Sequence, residues 1–448
     1  MEQNIKVTPA EKWITNPINR FVNKSTSGGI VLFLAAVIAI FMANSPWAEQ
    51  YMSFWDDNMI AIGFNDAFYL NHSLKEWVND GLMAIFFFVV GLELKRELST
   101  GELSSPKKAM LPIIAAIGGM VFPALMYAIF NAGTDASHGW GIPMATDIAF
   151  ALGVLYLLGD KVPVSLKVFL TALAITDDLG AVMVIAIFYT SDLSLINLGL
   201  GLGFFGLLII SNLIGIKNTI YYAVVGIGGI WLAFLLSGVH ATIAAVLAAF
   251  AIPSTARVNE GYFVHKMNEL KNKFRAIDPK DKVANLTAEQ MHIVEDMQKL
   301  SKDALPPSIR LEHSMHSFVS FIVMPIFALA NAAIPISLGE GGAISYVTIG
   351  VALGLLVGKV IGVSGLTALL IKLKVVDKPE GMTYTNLLGI GFLAAIGFTM
   401  SLFVTELAFD INVHPEFPGQ AKLGILIASG LGGIVGFILL NLSSGKKK

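Results

Sequence analysis

No cysteine occurs among the 448 residues, which excludes disulfides, thiolate metal sites and a cysteine nucleophile. Charge is scarce too. Asp, Glu, Lys and Arg make up 14% of the chain, and the formal net charge is −2. A nucleic-acid partner is therefore not expected, because phosphate binding needs a basic excess. What remains is apolar: 55% hydrophobic residues and a mean hydropathy of +0.71. That is too apolar for a soluble chain of this length, so the expected fold class is an all-α polytopic membrane protein.

Counting apolar runs against the ~20 residues that cross hydrocarbon gives about twelve spans. They fall near 27–44, 80–98, 108–130, 143–158, 165–190, 195–214, 219–236, 238–253, 313–333, 344–371, 385–409 and 420–442. Lysine and arginine test the count. With the N-terminus cytoplasmic, inside segments hold 27 of the 30, outside segments hold Lys75 and Lys422, and Lys359 lies within a span. A wrong number of spans would scramble that alternation, so both termini are expected inside. Lys6, Lys12, Arg20 and Lys24 mimic the basic region of a signal peptide, but the first apolar run starts late and the later spans need its orientation.

The chain reads as one integral membrane transporter domain, 1–448, with two segments outside the bilayer. Residues 45–79 alternate polar and apolar in places and suit an external hairpin-like loop. Residues 254–308 form a charged cytoplasmic insertion, in which Met267, Leu270 and Phe274 share a helical face and Thr287 with Gln290 resembles a capping box.

Chemistry concentrates in four charged residues inside apolar runs: the adjacent Asp177 and Asp178, then Asp147 and Lys359. A carboxylate at the centre of a membrane helix costs about 2.5–3.5 kcal/mol on insertion scales, so a doublet there needs a reason. A small hard cation takes oxygen ligands, which the carboxylates, Thr146 and freed backbone carbonyls can supply. Proton and sodium ion would then compete for the same acids, which titrate as a coupled pair. Topology adds a second pointer. The third to fifth spans and the tenth to twelfth run in opposite senses, as inverted repeats do. In each triplet the middle span stands out: the fourth is a short run between Pro143 and Gly159, and the eleventh is interrupted by Gly389, Gly391 and Gly397. Broken helices in matching positions mark the midplane site of a transporter.

The strings ATDIAFALGVL (145–155), ALAITDDLGAV (172–182), GLELKREL (91–98), SGVHATIA (237–244), RLEHSMH (310–316), MPIFALANA (324–332), LVGKVIG (356–362) and IGFTMSLF (396–403) span nearly the whole chain. In them it resembles the NhaA sodium/proton antiporters, which are themselves type examples of the broken-helix pattern. The resemblance implies a two-part fold with a bundle and a dimerisation interface, and broken fourth and eleventh spans crossing at mid-membrane. It implies an ion and proton site at Asp177 and Asp178, with Thr146 and Asp147 at the crossing and Lys359 neutralising helix ends and pairing with Asp177. It assigns Glu93, Arg96, Glu97, His240, Glu312 and His313 to pH control on the cytoplasmic side. The expected function is electrogenic export of Na+, and of Li+, against protons, at two protons per sodium ion. The protein would be a homodimer of the bacterial cytoplasmic (inner) membrane, not an enzyme, with no cofactor beyond the transported ions. Two features depart from the family pattern: the insertion 254–308 is longer, and Thr176 stands where an aliphatic residue is common.

Three rivals stay open on the residues alone: an aspartyl protease, a sodium-coupled symporter and a channel. An intramembrane aspartyl protease also needs two buried aspartates, but on separate helices in YD and GxGD contexts, unlike TDDLG. A sodium-coupled symporter would need a further polar or aromatic cluster for its solute. GLGFFG (201–206) satisfies G-x-G-x-x-G inside an apolar run without the strand–turn–helix context of nucleotide binding, and close helix packing explains it better. His313 and His316 have a metal-ligand spacing but no partner motif.

Overall fold

A computed structural model describes residues 26–64, 68–190, 193–277, 285–335, 345–411 and 413–444. The basic N-terminal tail, the terminal GKKK and Lys280 and Lys282 of the insertion lie outside the described residues. Among the described residues, sixteen helices follow in order. They are α1 (Ser27–Ala43), α2 (Ala48–Asp56), α3 (Leu74–Thr100), α4 (Pro106–Asn131), α5 (Ile148–Leu157), α6 (Val164–Phe188), α7 (Leu195–Ile214) and α8 (Thr219–Leu235). Then come α9 (Ala241–Ala251), α10 (Glu260–Ile277), α11 (Ala288–Ala304), α12 (Pro307–Asn331), α13 (Tyr346–Lys372), α14 (Tyr384–Ala394), α15 (Phe398–Ala408) and α16 (Glu416–Ser444). A 3-10 segment, Asp135–Met144, precedes α5.

Among the described residues, eight helical stretches are long and apolar enough to cross a bilayer, and counting each bent pair as one span gives ten. The bent pairs are α1 with α2, at 115°, and α14 with α15, at 43°. The seventh and eighth expected spans correspond to the shorter apolar helices α8 and α9. The chain is a mostly helical, polytopic membrane protein.

Segment 45–79 is a hairpin only in its middle. α2 occupies its start, α3 begins at Leu74, and between them β1 (Met59–Phe64) pairs antiparallel with β2 (Phe68–Ser73) in the register Met59↔Ser73 to Phe64↔Phe68. Trp77 Nε1 donates to the Ile60 carbonyl at 3.0 Å and ties the ribbon to α3. In the insertion, α10 and α11 pack on each other through Leu270, Ile293 and Leu300, with Met267 and Phe274 alongside. The capping box at Thr287 and Gln290 is present, starting α11.

The helices pack chiefly within two groups. One comprises α4, the 3-10 segment, α6 and α13 to α16; the other comprises α3, α7, α8, α9 and α12; α1 touches both α5 and α12. Small residues let the first group close up. A Cβ at Gly362 would stand 2.1 Å from the Gly118 carbonyl oxygen, and one at Gly358 would stand 2.7 Å from Pro123 Cα. Only glycine fits at these contacts between α4 and α13. Two wide i→i+5 turns, Gly354–Gly358 and Ile361–Gly365, flank Lys359. Such turns recur at functional sites.

Candidate ion site at the helix crossing

Two spans break in the interior and meet there. Pro143, which has no N–H, lies near the end of the 3-10 segment, and Ala145 and Asp147 are extended before α5 starts. Opposite, α14 stops at Ala394 and α15 begins after Gly397. Unpaired backbone at membrane depth must find partners within the protein, and here each break satisfies the other. Asp147 N–H donates to the Ile396 carbonyl at 2.7 Å, Thr146 Oγ1 to the Ala394 carbonyl at 2.9 Å, and Ser401 Oγ to the Ile142 carbonyl at 2.8 Å. Phe150 and Phe398, in the first turns of α5 and α15, meet edge to face at 5.2 Å and cover the crossing.

Charge follows the helix ends. Helix N-termini carry partial positive charge and C-termini partial negative charge. The Asp147 carboxylate caps two N-termini at once. Oδ1 accepts from Phe150 N at 3.0 Å, and Oδ2 accepts from Thr399 N at 3.0 Å and from Thr399 Oγ1. At the C-terminal end of the 3-10 segment, Lys359 Nζ donates to the Met144 carbonyl, and it also bonds Asp177 Oδ2 at 2.6 Å. Lys359 and Asp177 are each 1% exposed, and their contact is a buried ion pair.

On α6, Asp177 and Asp178 lie one position apart, so they point to different sides of the helix. Thr146 faces the Asp177 carboxylate. Asp178 is fully buried, and neither of its oxygens has a hydrogen-bond partner; Asp177 Oδ1 has none either. Unsatisfied buried carboxylate oxygens are rare in folded chains and call for a physical explanation. Thr176 turns back to the Ala172 carbonyl at 2.7 Å and makes no bond to the acids.

The residues expected in pH control divide. At the C-terminal end of α3, Arg96 bonds Glu312 of α12, contacts Glu97 at 3.1 Å, and lies one turn from Glu93, whose carboxylate is 3.5 Å from His316 Nδ1. His316, not His313, is thus the histidine that meets Glu93. Both histidines are exposed on α12, and both act electrostatically on Glu312; the ring that reaches Glu93 is that of His316. His240 is not in this cluster. It precedes α9, with its ring nitrogen Nε2 2.8 Å from the Tyr189 carbonyl, whereas the far end of α9 meets Lys95, whose Nζ donates to the Phe250 and Ile252 carbonyls. Eleven helical residues, about 16 Å, separate the two ends. A cleft of about 410 Å³ is lined by Glu93 and His316 and by Ile148 and Ala149 of the first turn of α5.

A doubly capping aspartate, a buried Lys–Asp pair and an unpartnered carboxylate thus lie together at the crossing. Residues 19–440 match the family profile described as Na+/H+ antiporter 1. The chain belongs to that family. It is similar to the Na(+)/H(+) antiporter NhaA of Wolinella succinogenes, with 46% identity over 96% of this chain and 93% of that protein. It is likewise similar to the Na(+)/H(+) antiporter NhaA 1 of Saccharophagus degradans, at 44% identity over 100% and 96%, and to the Na(+)/H(+) antiporter NhaA of Oleidesulfovibrio alaskensis, at 44% over 97% and 95%.

Sequence reasoning missed Thr399, Lys95 and the ion triad of Lys75, Glu406 and Lys422. A signal for Thr399 was present: a hydroxyl residue two positions after the glycine that breaks the span sits where a capping acid can reach it.

Proposed function

We propose that this member of the Na+/H+ antiporter family is electrogenic, exporting Na+, and Li+, in exchange for two protons by alternating access about Asp177 and Asp178. The observation that carries the reading is the unpartnered, fully buried carboxylate of Asp178 next to the Lys359–Asp177 pair. Its oxygens are free to take a proton or a cation, and they cannot hold both. Sodium arriving between the acids would draw ligands from Asp178, Asp177 and Thr146, and would displace Lys359 from Asp177. The proton that leaves Lys359 and the one that leaves Asp178 give the two-for-one exchange. Each cycle then moves one net charge, which gains about 2.3 kcal/mol per 100 mV, and each proton adds about 1.36 kcal/mol per pH unit.

The cleft at Glu93 and His316 suits the route from the cytoplasm, since the lysine and arginine distribution puts that end of α3 inside. Regulation by pH fits the Glu93, Arg96, Glu97, Glu312 and His316 cluster, with His240 acting separately at the opposite end. The matched breaks before α5 and α15 agree with inverted repeats. The same charge distribution favours cytoplasmic termini, and the family resemblance favours a homodimer in the bacterial inner membrane. An aspartyl protease is disfavoured because both acids sit on one helix.

Everted vesicles with an acid interior test the reaction. Added sodium should raise the interior pH, and Asp178→Asn should abolish the response while leaving the protein folded. A sodium response retained in that variant at more than a trace would remove Asp178 from the site.

A further inference from the structure

Away from the ion site, three charged side chains converge where α3 begins, α15 ends and α16 begins. Glu406 lies 2.9 Å from Lys75 and 2.7 Å from Lys422, and none of the three side chains is more than 17% exposed. Asp56 of α2 and, beside Lys75, Glu76 contribute further negative charge nearby. The lysine distribution places this end outside.

Two features make a packing role insufficient. First, Glu406 stands in the last turn of α15, where the helix dipole opposes an acid, and a buried ion pair is weak evidence of stabilisation because desolvation offsets attraction. Second, the pairs differ in what they join. Glu406 and Lys422 belong to the same helix group, as do Lys359 and Asp177, and Arg96 and Glu312 belong to the other, whereas Lys75 to Glu406 links one group to the other. The helix so held is the one whose first turn donates to Asp147.

We propose that Lys75, Glu406 and Lys422 form an outer latch, in which the Lys75–Glu406 contact opens and closes once per transport cycle and Lys422 holds Glu406 in place between times. Glu406 is a positioning residue that acts on the ion site through α15. A buried pair with a compensating second lysine suits that task, because Glu406 keeps a partner when Lys75 departs, so no uncompensated charge is left behind. The proposal rests on the alternating-access reading.

The absence of native cysteine allows a direct test in proteoliposomes. Lys75→Cys with Glu406→Cys spans the two groups, and Glu406→Cys with Lys422→Cys stays within one. Each pair is treated with a cleavable bifunctional thiol reagent or with its monofunctional counterpart. Cross-linking the first pair should reduce exchange by about tenfold or more, with recovery on cleavage, while cross-linking the second should leave the rate unchanged. Equal rates for the first pair before and after confirmed cross-linking overturn the latch, as does equal inhibition of both pairs. If the first pair fails to assemble, the combined Lys75→Met, Glu406→Met and Lys422→Met variant, which buries no charge, is measured instead. A latch predicts that the apparent KM for sodium shifts at one face several-fold more than at the other, and unchanged or equal shifts overturn it. Sodium-driven proton movement by the unaltered chain, recorded alongside, reports on the antiport reading separately.

Discussion

Replacing Thr399 by valine tests whether the crossing of the two broken spans is held by Asp147. The change keeps the side-chain shape and deletes one hydroxyl, whose proton goes to Asp147 Oδ2. A hydrogen bond to an ionised group contributes about 1.5–3 kcal/mol. The backbone N–H of residue 399 still donates at 3.0 Å, and Phe150 N–H still reaches Oδ1, so two of three partners survive and the crossing should persist. The expected loss is about 2 kcal/mol. Asp147→Ala removes all three bonds: the hydroxyl bond at about 2 kcal/mol, two helix caps at about 1 kcal/mol each, and a negative charge at two helix N-termini, together about 5 kcal/mol. Unfolding in mixed micelles, followed by the fluorescence of the six tryptophans, measures both, and sodium-jump exchange run in parallel should show a raised sodium KM in each. If Thr399→Val changes stability by less than about 0.5 kcal/mol, or if Asp147→Ala is no worse than Thr399→Val, the double cap does not hold the folded protein together.

Lys359→Gln should lower the proton-to-sodium stoichiometry, read as a changed reversal potential at fixed ion gradients. An unchanged potential with reduced thermal stability would restrict Lys359 to bracing Asp177 and Met144. His316→Ala should shift the pH profile of exchange, because it deletes the partner of Glu93, whereas His313→Ala should leave the profile in place; the reverse outcome would refute the geometric assignment. Gly362→Ala should cost about 1–3 kcal/mol, since the new Cβ meets the Gly118 carbonyl at 2.1 Å, and an unchanged melting temperature would show that α4 and α13 separate easily.

Apolar run length and Pro or Gly give local signals: the breaks fall after Pro143 and at Gly397, whereas Gly389 and Gly391, also expected to interrupt the eleventh span, lie within α14. The pairing of Lys359 with Asp177 came from the resemblance rather than from spacing, and the geometry places them in contact. Contacts between helices leave no such trace. Nothing local to Glu406 announces Lys75, which is 331 positions away, and nothing distinguishes His316 from His313 until the rotation of α12 against α3 is known. His240 was grouped with the Glu93 cluster by the resemblance, yet the alternation of spans already places the start of the eighth at the other end. Applying that topology residue by residue would have separated it from Glu93. The seventh and eighth spans, expected at 219–236 and 238–253, coincide with α8 and α9 except at their ends, because an apolar run does not reveal where hydrogen bonding stops.

The three intramembrane acids differ in how fully they are satisfied, and this orders their roles. Asp147 accepts three hydrogen bonds from two helix N-termini. Any ion that drew on it would have to compete with all three donors, so it suits a fixed brace. Asp177 has one strong partner, the Lys359 ammonium, which another cation can displace. Asp178 has none. A carboxylate that must exchange a proton for a metal ion on every cycle cannot be tied to donors that stay put, because breaking each charge-assisted bond would add about 1.5–3 kcal/mol to the step. On the proposed exchange, the unsatisfied acid is the working one, and its neighbour's lysine supplies the charge that comes and goes. The satisfied acid at the crossing keeps both broken helices aligned while that exchange takes place.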